Sequence, residues 1–365
     1  MKKMMQGCYL FLLFSQFIVP GDYKVEPSNQ ELFEGKNILI TGGTGYLGRT
    51  LAEEILVYNP KTITLLSRDE VKLFNSQKFF KNNPKIKNVL GDVRDFNCLF
   101  RHTKGVDLVI HTAALKRMDA LENNVEESIK TNILGPVNVF NACVTNKVTR
   151  TIFISTDKAC SPVNIYGACK FVSEKVFTNY DTKNIDTIFT VVRFGNILES
   201  TGSVIPIFLE KIKNGEDITL TDPKMTRFII SKNEAVEFIF DAIRYGVGGE
   251  IFVKDLPALN VKDLIEVLKE KYRANSQVKI IGLRPGEKIH EVLINEVELV
   301  RTYAFNHMRV ITPCLTEWLE NLRDKNKEPI YMTRGNLLKE GAKDYSSERA
   351  VVSKNELKEI LNLLL

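Results

Sequence analysis

The run Gly42-Gly43-Thr44-Gly45-Tyr46-Leu47-Gly48 constrains the fold of this chain more than any other stretch. It follows the short apolar run Asn37-Ile38-Leu39-Ile40 and opens an amphipathic stretch from Tyr46 to Val57. A short, continuous apolar run reads as a buried parallel strand, so the unit is strand, turn, helix. Gly42 allows the tight turn, Gly45 lets backbone approach a pyrophosphate, and Gly48 permits close helix–strand packing. The helix N-terminus then offers amide donors to the phosphates. A tight turn alone would also explain the glycines; the strand–helix context favours a dinucleotide site.

The same rhythm continues. Thr62 to Leu66 reads as a second strand, Val89-Leu90 ends a third, and Leu108 to His111, Thr151 to Ser155 and Thr187 to Val192 make three more. Helical patterns lie between them. Strands alternating with helices predict an α/β fold, a Rossmann-type doubly wound parallel sheet. Beyond Asn196 the segments are shorter and more polar, with loop signals at Gly202, Asp222-Pro223 and Arg284-Pro285-Gly286. The expected division is a tail over 1–34, a nucleotide-binding domain over 35–197, and a smaller C-terminal substrate-binding lobe over 198–227 and 251–350. Residues 228–250 are expected to pack back on the sheet, and 351–365 to form a C-terminal helix.

The 365 residues carry a net charge of +5, too small and spread out to decide between an anionic small substrate and no electrostatic message. No Lys/Arg block or interleaved aromatic run points to nucleic acid. None of the six cysteines makes a CxxC pair, and the four histidines lack ligand spacing, which predicts a reduced compartment and no metal. Lys2, Lys3 and the apolar run from Cys8 to Val19 resemble a signal-peptide core but are short for a membrane span, which takes about 20 residues. A start codon placed too early, a weak anchor and a true signal all fit; the first is favoured, with a cytoplasmic protein not associated with membranes.

At the end of the second strand an acidic residue would bind the ribose of NAD, but here Ser67 and Arg68 come first and Asp69 and Glu70 after. A hydroxyl and a guanidinium suit the 2′-phosphate of NADP. Asp92 and Val93 stand where an adenine-edge contact is expected, although Asp92 could equally cap a helix. Ala113 and Ala114 are small enough for backbone to lie against a cofactor. Lys116 and Arg117 could face a diphosphate or be solvated, and Asn132 could bond backbone near the site. The strongest chemical signal is Ser155-Thr156-Asp157-Lys158 followed by Tyr166 and Lys170. A Tyr and a Lys four apart share one helix face, and an ammonium near a phenol favours the phenolate. An adjacent acid and amine suggest chemistry beyond simple oxidation.

From about residue 36 to 293 the chain resembles an extended short-chain dehydrogenase/reductase, on TGGTGYLG, HTAA and the Tyr166–Lys170 pair. SRDE, AALKRMDALE, KTNILG, STDKACSPVNIYGACK, MTRF and RPGEKIHEVL together resemble the UDP-N-acetylglucosamine 4,6-dehydratases, most of all the soluble inverting type. The resemblance implies that Tyr166 takes the 4-hydroxyl proton while NADP+ takes hydride from carbon 4. Lys170 would lower the Tyr166 pKa and hold the nicotinamide ribose, and Thr156 would bond the 4-oxygen. Lys158 would remove the carbon-5 proton and Asp157 protonate the departing 6-hydroxyl. Hydride would return to carbon 6, with inversion at carbon 5. The motif carries Thr44, Tyr46 and Leu47 to the cofactor beside the three glycines. Lys116, Arg193, Asn196, Arg227 and Arg284 map to substrate contacts, while Glu287 and His290 receive no catalytic role. A homo-oligomer, with hexamers in the family, is implied too. Two alternatives stand: a nucleotide-sugar 4-epimerase, which needs neither Asp157 nor Lys158, and a non-catalytic NADP-binding regulator.

Overall fold

The computed structural model describes residues 26–198, 204–314, 316–325, 328–338, 341 and 343–364. Six parallel strands, β1 (Asn37–Thr41), β2 (Thr62–Ser67), β3 (Ile86–Leu90), β4 (Leu108–His111), β5 (Arg150–Thr156) and β6 (Ile188–Phe194), lie in the order β3-β2-β1-β4-β5-β6. This is the doubly wound order, whose strand-order reversal between β1 and β4 opens a crevice at the carboxyl ends of the strands. β1, β4 and β5 are buried along almost their whole length, as strands covered on both faces must be. The Gly-rich turn sits at the crevice, at the end of β1.

The domain boundaries differ from expectation in three places. Ile251–Lys254 adds to the sheet parallel to β6, and Met308–Ile311, Thr302–Phe305 and Asn336–Leu337 extend it antiparallel, all within the span assigned to the lobe. Ile251, Phe252, Val253, Phe305, Met308, Val310 and Ile311 join the main core, which such short runs do not reveal without the pairing. The tail begins earlier as structure: Ser28 caps a helix Asn29–Phe33, and Phe33 packs in the core with its ring 4.5 Å from that of Phe240. Finally, the helix Lys232–Tyr245 does return to the sheet, but Thr226–Ile230 pairs with Ala258–Asn260 and Asn196–Ile197 in a separate three-stranded sheet.

The smaller lobe has its own apolar cluster. Phe208, Ile218, Leu220, Leu264 and Leu268 meet Leu357 and Leu361 of the last helix, Lys354–Leu364. That helix is part of the lobe rather than an appendage, and Lys354 ties it to Glu266 and Glu270. No helix among the described residues is long and apolar enough to cross a membrane, and the run from Cys8 to Val19 lies outside them.

Candidate active site

The glycine turn is shaped by close approach. Gly42 has φ +68°, and a Cβ there would come within 2.7 Å of Ala113 backbone. A Cβ on Gly48 would meet the Gly42 carbonyl at 2.7 Å, while one on Gly45 would stand 3.1 Å from the same oxygen. Gly45 is the N-cap of the helix Tyr46–Leu56 and makes no side-chain cap, so the helix start faces the turn with its positive dipole end. The residues fit a dinucleotide: the turn, the helix start and the small Ala113 and Ala114 meet at one place. Thr44 Oγ1 donates to Ser67 Oγ at 2.8 Å and ties the turn to the end of β2.

Around that strand end, Arg68 is exposed and Asp69 is occupied. Its carboxylate caps the helix Glu70–Phe79 by accepting from Lys72 N at 2.9 Å. Asp92 caps nothing; Asp95 caps the next helix, and Asp92 accepts from Arg94 Nε and Nη2 at 2.9 and 2.7 Å. Val93 is buried against Gly135, where a Cβ would lie 2.8 Å from its Cγ2. Asn132, in a π-helical turn, grips both the N–H and the carbonyl of Leu115 at 2.8 Å, and its own carbonyl accepts from Ser173 Oγ at 2.6 Å. It therefore clamps the segment after β4 to the helix Ile165–Thr178, which carries Tyr166 and Lys170.

β5 delivers Thr156 and then a single 3-10 turn of Asp157, Lys158 and Ala159. Gly167 lets the Tyr166 helix lie on that turn, since a Cβ there would meet the Lys158 carbonyl at 2.2 Å. Asn164 starts the helix by accepting from Gly167 N, and its amide donates to the Gly286 carbonyl at 2.8 Å, joining the Arg284-Pro285-Gly286 loop to the site.

The carboxylate of Asp157 is wholly buried. Its Oδ1 accepts from Thr156 Oγ1 and from Lys158 Nζ, both at 2.9 Å, and its Oδ2 has no hydrogen-bond partner. Lys158 Nζ also lies 3.5 Å from Asn196 Oδ1 and 3.6 Å from Glu291 Oε1. Burial alone would lower the lysine pKa, but Asp157 and Glu291 outweigh it and hold the ammonium well above the usual lysine range. Tyr166 is pushed up to about 12 by burial, with the Lys158 charge pulling it down and the Asp157 charge opposing; the Thr156 hydroxyl is within hydrogen-bonding reach of the phenol.

Lys170 does not meet the phenol as expected. Its Nζ donates to the Ile154 carbonyl at 2.7 Å and sits 4.4 Å from the centre of the Phe153 ring; burial lowers it to about 8. The charges acting on Tyr166 are those of Lys158 and Asp157. Beside Lys170, the buried His111 accepts or donates at 2.6 Å to Thr41, and burial drives it down to about 3, so it is neutral.

Of the expected substrate residues, Asn196 does stand at the site. Arg227 is near it, with Nε 3.9 Å from Glu291, but its guanidinium donates to the Thr226, Ile289 and Lys288 carbonyls. Lys116 and Arg284 are exposed, and Arg117 pairs with Asp119. Arg193 overturns its expectation as a substrate contact. It is fully buried, and its donors go to Glu174 at 2.6 and 3.0 Å, Glu298 at 2.9 and 3.0 Å, and the Leu293 carbonyl. Ser155 donates to Glu174 in the same network, which lies one layer beneath the reacting residues. His290 bonds Thr226 at 2.9 Å. Glu291 was missed altogether; an acid directly before the apolar run Val292-Leu293-Ile294 was the available signal. No cluster of metal-ligating side chains exists among the described residues.

Known proteins align with this architecture over most of the chain. The UDP-N-acetylglucosamine 4,6-dehydratase (inverting) of Campylobacter jejuni is 41% identical over 337 residues, covering 91% of this chain and 98% of that one. A UDP-glucose 4-epimerase of Rickettsia bellii is 40% identical over 74% of this chain and 81% of its own length. Among solved structures, Pen from Bacillus thuringiensis superposes with a TM-score of 0.82 at 35% identity, covering 91% of this chain and 99% of that one. A family model described as polysaccharide biosynthesis protein matches residues 38–313, and the chain belongs to that family.

Proposed function

We propose that this protein is a lyase, a UDP-N-acetylglucosamine 4,6-dehydratase that uses NADP and inverts carbon 5. The observation that carries the reading is the buried Asp157–Lys158 pair at 2.9 Å, set beside Tyr166 and Thr156. A 4-epimerase has no use for such a pair, and a regulator needs only the glycine turn. The dehydratase name of the Campylobacter relative supports the same choice, and so does the UDP-sugar class of the relatives' names.

The pair explains how one site supplies an acid and a base together. Lys158 is an ammonium here, so it must lose a proton before it can act at carbon 5. Asp157 Oδ1 lies in hydrogen-bond contact to receive it. The transfer leaves a neutral amine beside a carboxylic acid, the two forms that elimination requires. The amine takes the carbon-5 proton, the acid protonates the departing 6-hydroxyl, and the pair returns to ammonium and carboxylate with no proton from outside. Tyr166, in its phenolate form, accepts the 4-hydroxyl proton; once hydride has reached carbon 6, Lys158 gives a proton to carbon 5 from the other face, and the Tyr166 proton passes through Thr156 and Asp157 to restore the ammonium. A bound nicotinamide cofactor supplies the hydride acceptor for carbon 4 and the hydride for carbon 6.

For the cofactor, the occupied Asp69 supports NADP over NAD, because the acid at the end of β2 serves as a helix cap while Arg68 stays exposed. Arg68→Ala should weaken NADP binding by about tenfold or more, the worth of one charge-assisted hydrogen bond, and leave NAD binding unchanged. Fluorescence titration with both cofactors checks this; equal losses for the two would remove Arg68 from the 2′-phosphate.

Incubating the purified protein with UDP-N-acetylglucosamine and NADP should yield a 4-keto-6-deoxy nucleotide-sugar with no net NADPH. Proton NMR of product made in deuterated water should show an inverted carbon 5 carrying deuterium. Accumulation of UDP-N-acetylgalactosamine would replace this reading with the epimerase.

A further inference from the structure

We propose that Glu291 is a positioning residue for Lys158, holding its ammonium from a second side and setting how readily it gives up its proton. The inference rests on Lys158 being the base of the proposed reaction. Glu291 is 3% exposed, and its backbone is pinned on both sides by Ser347, whose Oγ accepts from Glu291 N and whose N–H donates to the Glu291 carbonyl, each at 2.8 Å. Ser347 Oγ in turn bonds Thr226 Oγ1 at 2.7 Å. The carboxylate is thus carried to the site by a rigid junction between the strand Val292–Ile294 and its partner Tyr345–Ser346.

A buried carboxylate is costly unless cations or donors meet it. Three cations stand near: Lys158 at 3.6 Å, Arg227 at 3.9 Å and Lys288 at 4.0 Å. Two of these are committed elsewhere, Arg227 to three carbonyl contacts and Lys288 to the Cys160 carbonyl at 2.8 Å. Glu291 Oε2 accepts no hydrogen bond. The contact with Lys158 is too long for a strong hydrogen bond, so it acts through charge and leaves the ammonium free to reach Asp157.

The groups facing Lys158 are Asp157 on its own turn, Glu291 before Val292–Ile294, Arg227 on Thr226–Ile230, Tyr166 on the helix Ile165–Thr178, and the neutral Asn196. Asp157 and Glu291 favour the ammonium and Arg227 opposes it. Glu291→Gln keeps the shape, removes one favourable charge and leaves Arg227 in place. The neutral amine should therefore become more abundant at any pH below its titration.

The test is competitive acetylation of the full-length protein with acetic anhydride at about pH 9, where lysines are still mostly protonated, comparing Lys158 with an exposed lysine by peptide mass spectrometry. In Glu291→Gln the Lys158 rate relative to wild type should rise by about tenfold or more, the effect of losing one opposite charge at this range. Glu291→Asp, which keeps the charge, should stay near wild type. In turnover, the alkaline limb of the kcat profile should move to lower pH in Glu291→Gln alone. An unchanged labelling rate in Glu291→Gln, or Glu291→Asp rising equally, overturns the assignment. Variants that label as expected in a protein that does not dehydrate UDP-N-acetylglucosamine would sink the functional proposal, and with it the catalytic meaning of the contact, and leave only the charge coupling of Glu291 to Lys158.

Discussion

A Lys158→Ala variant should lose formation of the 4-keto-6-deoxy product by about 10²–10⁴-fold, the usual worth of a positioned general base, while still binding the cofactor. The binding half follows from placement. Lys158 touches Asp157, Asn196 and Glu291, whereas the glycine turn, Ser67 and Arg68 belong to other elements. The catalytic half follows from proton accounting. Without the amine, carbon 5 has no base and Asp157 loses the ammonium that hands it the proton for the 6-hydroxyl, so acid and base fail together. Asp157→Asn should accordingly cost nearly as much as Lys158→Ala, and the double variant little more than either, because residues acting as a unit are not additive. Stopped-flow absorbance at 340 nm would separate the steps: hydride transfer from carbon 4 persists in Lys158→Ala, and reduced cofactor accumulates instead of passing hydride to carbon 6. Product formation at the wild-type rate would refute the role of Lys158 as base.

The Rossmann half was legible because its signals are local. Each parallel strand is a continuous apolar run, the glycine turn joins strand to helix within seven residues, and Tyr166 and Lys170 are spaced by one helical repeat. The part that was not legible depends on contacts between distant segments. Ile251–Lys254 and Met308–Ile311 are four residues each, and only their mutual pairing places them in the main sheet. Arg193 was correctly placed near the end of β6, yet its side chain turns into the core because Glu174 and Glu298 wait there, 19 positions before it and 105 after it. Lys170 was read from spacing as the partner of the phenol, but the Ile154 carbonyl, 16 positions earlier, holds its amine. Glu291 reaches Lys158 only through the Ser347 junction. The Asp157–Lys158 pair was legible because the two are adjacent; their burial, and the ammonium that Asp157 and Glu291 preserve against it, were not.

Arg193→Ala should destabilise the protein by about 3–5 kcal/mol, the cost of stripping a buried ion pair of one partner. The wild-type guanidinium spends its donors on two carboxylates and a carbonyl, all out of water. Removing it leaves Glu174 and Glu298 buried in mutual repulsion and strips the Leu293 carbonyl of this donor. The same network fastens the helix that carries Tyr166 to β6 and to the turn Glu296–Leu299, so the loss should also loosen the catalytic geometry. The pH dependence tests the cause. Burial pushes the Glu298 pKa up, but Arg193 outweighs it and holds the carboxyl below the ordinary value of 4.5. A depressed carboxylate contributes stability above its unfolded value and loses it as the pH falls through the folded one. In the variant the cation is gone and the burial of Glu298 is no longer outweighed by Arg193, so this carboxyl binds a proton more readily than in the wild type. The gap between wild type and variant should therefore be widest near neutral pH and narrow as the pH drops through and below 4.5. Urea unfolding across that range measures it. A gap independent of pH would mean that lost packing, not the unpaired carboxylates, sets the cost.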